Sequence, residues 1–270
     1  MRPAPFVPWV GGKSGLVRFL REHIPHGTTG YVEPFVGGGA LLFAVPTLPF
    51  RVIADANPHL INAYHQIATD VEAVIEELEA LEVPRSAAEY RTLADVCLNS
   101  PSGAAGAAAF IATVKSTWGA KWEIDAGGKH RGSWSKRATP LCEPGKLRSC
   151  AKHLVGVSVH AGDAVNLLED LEVPDGTLVY LDPPYLPENG QVFDGYTSTG
   201  FGLDEHRRLA EWISNQDGGS VRVMLSMSDT PTAREVYSGL DFRRTSATRR
   251  LRHVDGIGVD LLGVNYPIAG

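Results

Sequence analysis

The chain has 270 residues, 25 Lys and Arg against 31 Asp and Glu, and a formal net charge of -6. Hydrophobic residues make up 43% and charged residues 21%, which excludes a mainly disordered or collagenous chain. The length admits one large domain, or one domain carrying a substantial insertion.

The first nine residues contain Pro3, Pro5 and Pro8 and no apolar core, so no signal peptide is expected. A short apolar strand over residues 31–35 runs into the glycine cluster of residues 37–39. A second strand over residues 51–55 closes on Asp55. From Leu60 to Leu81, apolar residues recur at spacings of three and four, which predicts one long amphipathic helix. Residues 99–109 are a Gly, Ala, Ser and Pro segment, read as a loop entering a small-residue helix. Strands follow over residues 155–160 and 177–181, the latter running into Asp182-Pro183-Pro184. Asp204 is a candidate cap for a helix whose apolar face includes Leu209, Trp212 and Ile213. Residues 221–225 form another strand, and residues 259–266 close a hairpin after an arginine-rich stretch. Strands alternate with helices at both ends, which predicts an α/β fold with a mostly parallel sheet. Residues 57–145 break the alternation and read as an inserted, mainly helical module. Residues 1–56 and 146–270 then form the other domain.

Charge is unevenly placed. Residues 55–100 hold nine acids against Arg85 and Arg91, whereas residues 115–153 hold nine bases against Glu123, Asp125 and Glu143. A second basic cluster comprises Arg243, Arg244, Arg249, Arg250 and Arg252. Such stretches make either a phosphate-binding face or two solvated surfaces. Cys97, Cys142 and Cys150 form no even disulfide set and suit a reducing cytoplasm. Cys142, Cys150 and His153 lack paired chelating spacing, so no metal is expected. The longest apolar runs, such as residues 40–45, are too short to span a bilayer, and no membrane partner is expected.

Two places carry chemistry. In Glu33-Pro34-Phe35-Val36-Gly37-Gly38-Gly39, a strand ends in glycines that let backbone approach a ligand. Asp55, 22 residues after Glu33 at the next strand end, is placed for two ribose hydroxyls. Together they indicate a nucleoside cofactor, and the missing dinucleotide fingerprint argues against a nicotinamide enzyme. The second place is Val179-Tyr180-Leu181-Asp182-Pro183-Pro184-Tyr185. Two prolines offer no donors and hold the chain extended. A carboxylate, bare carbonyls and an aromatic ring then suit a flat nucleobase with an exocyclic amine. Asp182 and the Pro183 carbonyl would accept its hydrogens, and Tyr185 would stack on the ring.

These segments resemble the Dam-type DNA adenine-N6 methyltransferases, in family order. They are Trp9-Val10-Gly11-Gly12-Lys13, residues 33–39, Asp55-Ala56-Asn57, Gly162-Asp163, residues 182–185, Thr199-Gly200-Phe201, residues 205–210, and a final arginine-rich hairpin before residues 260–266. The resemblance implies a Rossmann-like methyltransferase sheet with an antiparallel C-terminal hairpin and an inserted target-recognition module. It implies S-adenosyl-L-methionine as methyl donor, S-adenosyl-L-homocysteine as product, and double-stranded DNA as partner. Trp9, Gly11 and Lys13 would contact the cofactor, with Lys13 near its methionine carboxylate. Glu33 would also contact the cofactor, Phe35, Gly37 and Gly39 would line the methionine side, Asp55 would take the ribose and Asp163 the cofactor adenine amine. Asp182, also beside the cofactor, would act with Pro183 and Tyr185 on a flipped target adenine. A monomer or weak dimer is expected, in a setting such as restriction-modification.

DNA contacts are expected from Lys121, Lys129, Arg131, Trp134, Lys136, Arg137, Arg249 and Arg250. The base-reading hairpin departs from the family pattern. Around Gly127-Gly128, residues 115–134 keep a hairpin tip but not the family's Asn and Arg positions, so GATC recognition does not carry over. Trp118, Trp122 and Trp134 either touch DNA or fill the module's core, and the core is favoured for most of them. Rival readings are a methyltransferase for another planar amine, such as cytosine N4, RNA adenine or a glutamine amide, and a non-catalytic DNA-binding relative. Asp182, where cytosine enzymes tend to carry Ser and glutamine enzymes Asn, favours adenine.

Overall fold

The computed structural model describes residues 3–136, 139–186, 201–216, 220–250 and 257–267, with backbone alone for residues 246–250 and 257–260. Its strands are β1 (Gly30–Glu33), β2 (Phe50–Asp55), β3 (Ser158–Ala161), β4 (Thr177–Leu181), β5 (Arg222–Ser228), β6 (Asp241–Arg250) and β7 (Ile257–Val264). They form one sheet in the order β3-β2-β1-β4-β5-β7-β6. The first five pair in parallel. β7 runs antiparallel to both β5 and β6, which is the mixed sheet the sequence predicts. All residues of β1 and β4 are buried, as parallel strands covered on both faces require. The chain steps outward from β1 to β3 and then returns to β4 on the other side of β1. That reversal opens a crevice at the carboxyl ends of β1 and β4.

Side chains alternate between the two faces. Tyr31 and Ile53 join one apolar cluster that continues through Leu60, Tyr64, Phe110 and Trp122. Val32, Val52, Val179 and Leu181 join the other, beneath Leu168, Trp212 and Tyr237. The first face is covered by α2 (Pro58–Thr69) and α6 (Pro144–Leu154). Behind them lie α3 (Val71–Ala80), α4 (Ala87–Asn99) and α5 (Gly103–Ser116). The short α1 (Val17–Glu22) precedes β1. Helices α7 (Ala164–Asp170), α8 (Leu203–Ser214) and α9 (Pro231–Val236) lie on the second face.

Three local expectations need correction. The single helix over residues 60–81 is two helices, because Asp70 leaves helical geometry (φ -149, ψ 68) and its side chain accepts the Ala73 N–H to start α3. The strand predicted over residues 155–160 begins only at Ser158. Before it, Gly156 at φ +77 turns the chain, and Arg51 grips the carbonyls of His153 and Val155 at 2.5 and 2.6 Å. Asp204 is inside the first turn of α8, whose cap is Gly202; Glu205 reaches back to accept the Gly202 N–H at 2.8 Å. The small-residue helix is α5, buried from Gly106 to Ser116. A Cβ at Gly106 would meet the Ser100 carbonyl oxygen at 2.1 Å, so this helix seats against its neighbour only with glycine there. No helix of the described residues is long and apolar enough to cross a membrane.

Candidate active site

A cleft of about 620 Å³ opens at the carboxyl ends of β1, β2 and β4. The candidate cofactor and target-base residues all border it. Parallel strands fix the backbone at these ends, so the residues just beyond them are positioned by the sheet.

On the β1–β2 side, the glycine cluster is shaped by side chains as well as by ligand access. Gly37 (φ +46) and Gly39 (φ +68) both have left-handed backbone. A Cβ on Gly37 would meet the Trp9 ring at 2.7 Å, and one on Gly39 would meet the Tyr64 hydroxyl at 2.5 Å. The Tyr64 hydroxyl donates to the Gly37 carbonyl at 3.0 Å. Asp55 accepts the Gly37 N–H on one oxygen at 3.0 Å and the Asn57 N–H on the other at 2.9 Å. Burial raises its pKa to about 6, and those two backbone bonds oppose the rise. Each oxygen keeps a lone pair for a further donor. Asp163 caps α7, its Oδ1 accepting the Val165 and Asn166 N–H groups at 3.0 and 2.9 Å. That leaves Oδ2 for a ligand amine.

On the β4 side, Asp182 follows Leu181 and is paired with Lys13, whose Nζ also donates to the Gly11 carbonyl at 3.2 Å. The Lys13 ammonium lies 5.0 Å from the centre of the Tyr185 ring. Lys13 thus lies against the Asp182–Tyr185 turn, inside the same cleft as the other candidate cofactor residues. Glu33 is 2% exposed and accepts the Tyr31 hydroxyl at 2.8 Å. Burial, with the charge of Asp182 adding to it, raises its pKa to about 8. Burial thus favours the neutral form of Glu33, which lines the cleft. Phe35 meets Phe201 edge-on at 5.3 Å.

Several contacts of this site are absent from the sequence reading. His206 lies on α8 with Nε2 3.0 Å from the Pro184 carbonyl and Nδ1 2.6 Å from the Tyr237 hydroxyl. Tyr180 pairs with Ser226 at 2.9 Å beneath the cleft. Tyr64 and Tyr237 carry no local signal, because their partners are 27 and 31 residues away. His206 belongs to a segment of family resemblance, and that was the available pointer.

The candidate DNA-contacting residues divide. Residues 117–134 form a hairpin with bridges Thr117 to Trp134 and Ile124 to His130. At its tip Asp125 accepts the N–H groups of Gly127 and Lys129, each at 2.9 Å. Lys129, Arg131 and Lys136 are exposed, Trp134 is half-buried, and Lys121 pairs with Glu123 at 2.5 Å. Arg137 lies outside the described residues, as do Thr199, Gly200 and the side chains of Arg249 and Arg250. The backbones of Arg249 and Arg250 pair in the β6–β7 hairpin. Among the three tryptophans, Trp122 is buried and Trp118 is 53% exposed, so only Trp122 is a fully buried core residue. Trp122 packs on Phe110 at 4.8 Å, and Phe110 on Trp9 at 6.1 Å, which ties the hairpin's base to the cleft wall. Among the described residues, no group of three or more His, Cys, Asp or Glu could hold a metal.

Known proteins resemble this chain in sequence. The chain is 29% identical to the type II methyltransferase M1.LlaDCHI of Lactococcus lactis subsp. cremoris, over 91% of this chain and 88% of that protein. It is also 29% identical to the type II methyltransferase M.MjaIII of Methanocaldococcus jannaschii, over 98% of this chain and all of that one. Against the DNA adenine methylase of Vibrio cholerae it is 27% identical, over 91% and 89%. The sequence model of the D12 class N6 adenine-specific DNA methyltransferases matches residues 9–251. With that match across most of its length, and with the mixed sheet and strand-end cleft described above, the chain belongs to the D12 class of N6 adenine-specific DNA methyltransferases.

Proposed function

We propose that the cleft binds S-adenosyl-L-methionine beside a target adenine flipped from double-stranded DNA. The observation that carries the reading is the meeting of Asp55, the glycine cluster and the Asp182–Tyr185 turn in one cleft at a sheet switch point. The chain's donor set fits the cofactor. Asp55 offers acceptors to two ribose hydroxyls, Oδ2 of Asp163 to the adenine amine, and Phe35 an apolar wall on the methionine side. When bound, the cofactor supplies an electrophilic methyl group on a sulfonium.

The protein's own residues do the rest by position and charge. The amino group of adenine is a poor nucleophile, because its lone pair is delocalised into the ring. Asp182 and the Pro183 carbonyl accept its two hydrogens, which favours a pyramidal nitrogen with its lone pair free. Tyr185 stacks on the flipped ring and offsets part of the unstacking loss of about a few kcal/mol. Lys13 holds the Asp182 carboxylate in place.

Residues 57–145 serve as the target-recognition module, and residues 1–56 and 146–270 as the cofactor-binding domain. Lys121, Lys129, Arg131, Trp134, Lys136 and Arg137 face DNA, together with Arg249 and Arg250. The protein works in the cytoplasm as a monomer or weak dimer, and its three cysteines, all free, suit that compartment. Melting curves with added cofactor test the first half of the reading, since a ligand of the folded state raises the midpoint. The midpoint should rise with S-adenosyl-L-methionine and rise less in Asp55→Ala. An equal rise in both proteins removes Asp55 from the site.

A further inference from the structure

The two prolines after Asp182 cannot donate hydrogen bonds, so the turn that presents Asp182 and Tyr185 has few backbone means of holding its shape. The Pro184 carbonyl is held from outside, by His206 at 3.0 Å. A backbone carbonyl only accepts, so Nε2 must carry the proton. In a neutral imidazole Nδ1 is then an acceptor, and the Tyr237 hydroxyl, 2.6 Å away, donates to it. His206 is 2% exposed and Tyr237 is 3% exposed. Burial lowers the His206 pKa to about 4, so the ring is neutral at working pH. Phe201 and Tyr237 meet the imidazole edge-on at 4.8 and 5.9 Å. Phe201 also meets Phe35. A chain of contacts thus runs from the partly buried Phe35 and Phe201 through the buried His206 to the target turn.

We propose that His206 is a positioning residue for methyl transfer. Its Nε2–H clamps the Pro184 carbonyl, Tyr237 locks the tautomer that can do so, and the clamp holds Asp182, Pro183 and Tyr185 in register with the cofactor wall. His206 touches neither substrate nor cofactor and moves no proton. The inference rests on residues 182–185 being the target-base site.

The test compares kcat, KM for DNA and cofactor affinity across His206→Leu, His206→Gln, Tyr237→Phe and Asp182→Ala. A sub-ångström to 1 Å shift of the turn should lower kcat of His206→Leu about ten- to about a hundredfold, with cofactor affinity unchanged. His206→Gln, whose amide N–H can reach the same carbonyl, should recover most of the loss. Tyr237→Phe should lower kcat by a smaller factor. Nitrogen NMR of the wild-type ring at neutral pH should show a protonated Nε2 and an unprotonated Nδ1. Wild-type kcat in His206→Leu beside an inactive Asp182→Ala overturns the proposal and leaves the target-base reading intact. Wild-type kcat in Asp182→Ala overturns the target-base reading, and the proposal with it. Gln no better than Leu, or a ring protonated on Nδ1, also overturns the clamp. Should His206→Leu fail to fold, Tyr237→Phe and the ring spectrum still decide.

Discussion

The cleft and the hairpin of residues 117–134 are positioned by different means. Asp55 is fixed twice over by backbone N–H groups, Asp182 by Lys13 and Asp163 by its own helix end. All three lie at or close to strand ends of the sheet. The hairpin has two isolated bridges and an Asp125 turn at its tip, with a base held by Tyr90, which bonds Thr117 at 2.7 Å and His130 at 3.1 Å. In the cleft, backbone geometry dictates which residue can do the work. In the hairpin, the scaffold fixes where side chains emerge but leaves their identity free.

The largest effect expected from breaking the first region is at Asp182. Asp182→Ala should lower the turnover rate by about a hundredfold to about a thousandfold, the range for losing one preorganised electrostatic partner. Circular dichroism should stay unchanged. Next is Asp55→Ala, which should weaken cofactor binding by about 1.5–3 kcal/mol, as expected for lost hydrogen bonds to a charged acceptor. In the wild type, cofactor affinity should fall as pH drops below about 6, where the Asp55 carboxylate takes up a proton. Isothermal titration across that range checks both statements.

Glu33 gives a smaller effect with a defined sign. Its folded pKa of about 8 lies above that of an unfolded Glu. Its contribution is therefore full below about pH 4, is lost as pH rises, and levels off above about pH 8. Urea unfolding should show wild-type stability falling by up to about 1.4 kcal/mol per pH unit more steeply than Glu33→Gln between about pH 6 and pH 8. Parallel curves would show that Glu33 is ionised in the fold. The smallest effect sharpens the second region. Lys129→Ala and Arg131→Ala should each reduce the slope of log K against log salt by about 0.9, if each contacts one phosphate. The loss should be the same on unrelated sequences. Replacing residues 129–134 with an unrelated hairpin should instead change the methylated sequence, read by mapping modified adenines.

The same contrast explains what could be read in the sequence. β1, β2 and β4 were legible because apolar runs ended at glycine or Asp. Of the candidate site, the glycine cluster, Asp55 and the Asp182–Tyr185 turn were legible because they lie at or just beyond those ends, whereas Trp9, Gly11 and Lys13, ahead of β1, were indicated only by the family resemblance. The arginine-rich C-terminal hairpin was legible as well. The break at Asp70 was not, because the apolar period runs through residues 60–81 unbroken while one side chain restarts the helix. Contacts such as Trp9 on Gly37, Tyr64 on the Gly37 carbonyl and His206 on Pro184 join distant segments, and no local pattern encodes them. The tryptophans were ambiguous for the same reason: Trp118 and Trp122 lie four residues apart, yet one faces solvent and the other fills the core.

The adenine amino group in DNA is proposed to receive its methyl group at the Asp182 turn. The most direct measurement supplies S-adenosyl-L-methionine carrying a labelled methyl to wild type and Asp182→Ala with double-stranded DNA, followed by digestion to nucleosides. The label should appear in N6-methyldeoxyadenosine with the wild type and be nearly absent with Asp182→Ala. Label in N4-methyldeoxycytidine, or equal N6-methyldeoxyadenosine from both proteins, would contradict the account.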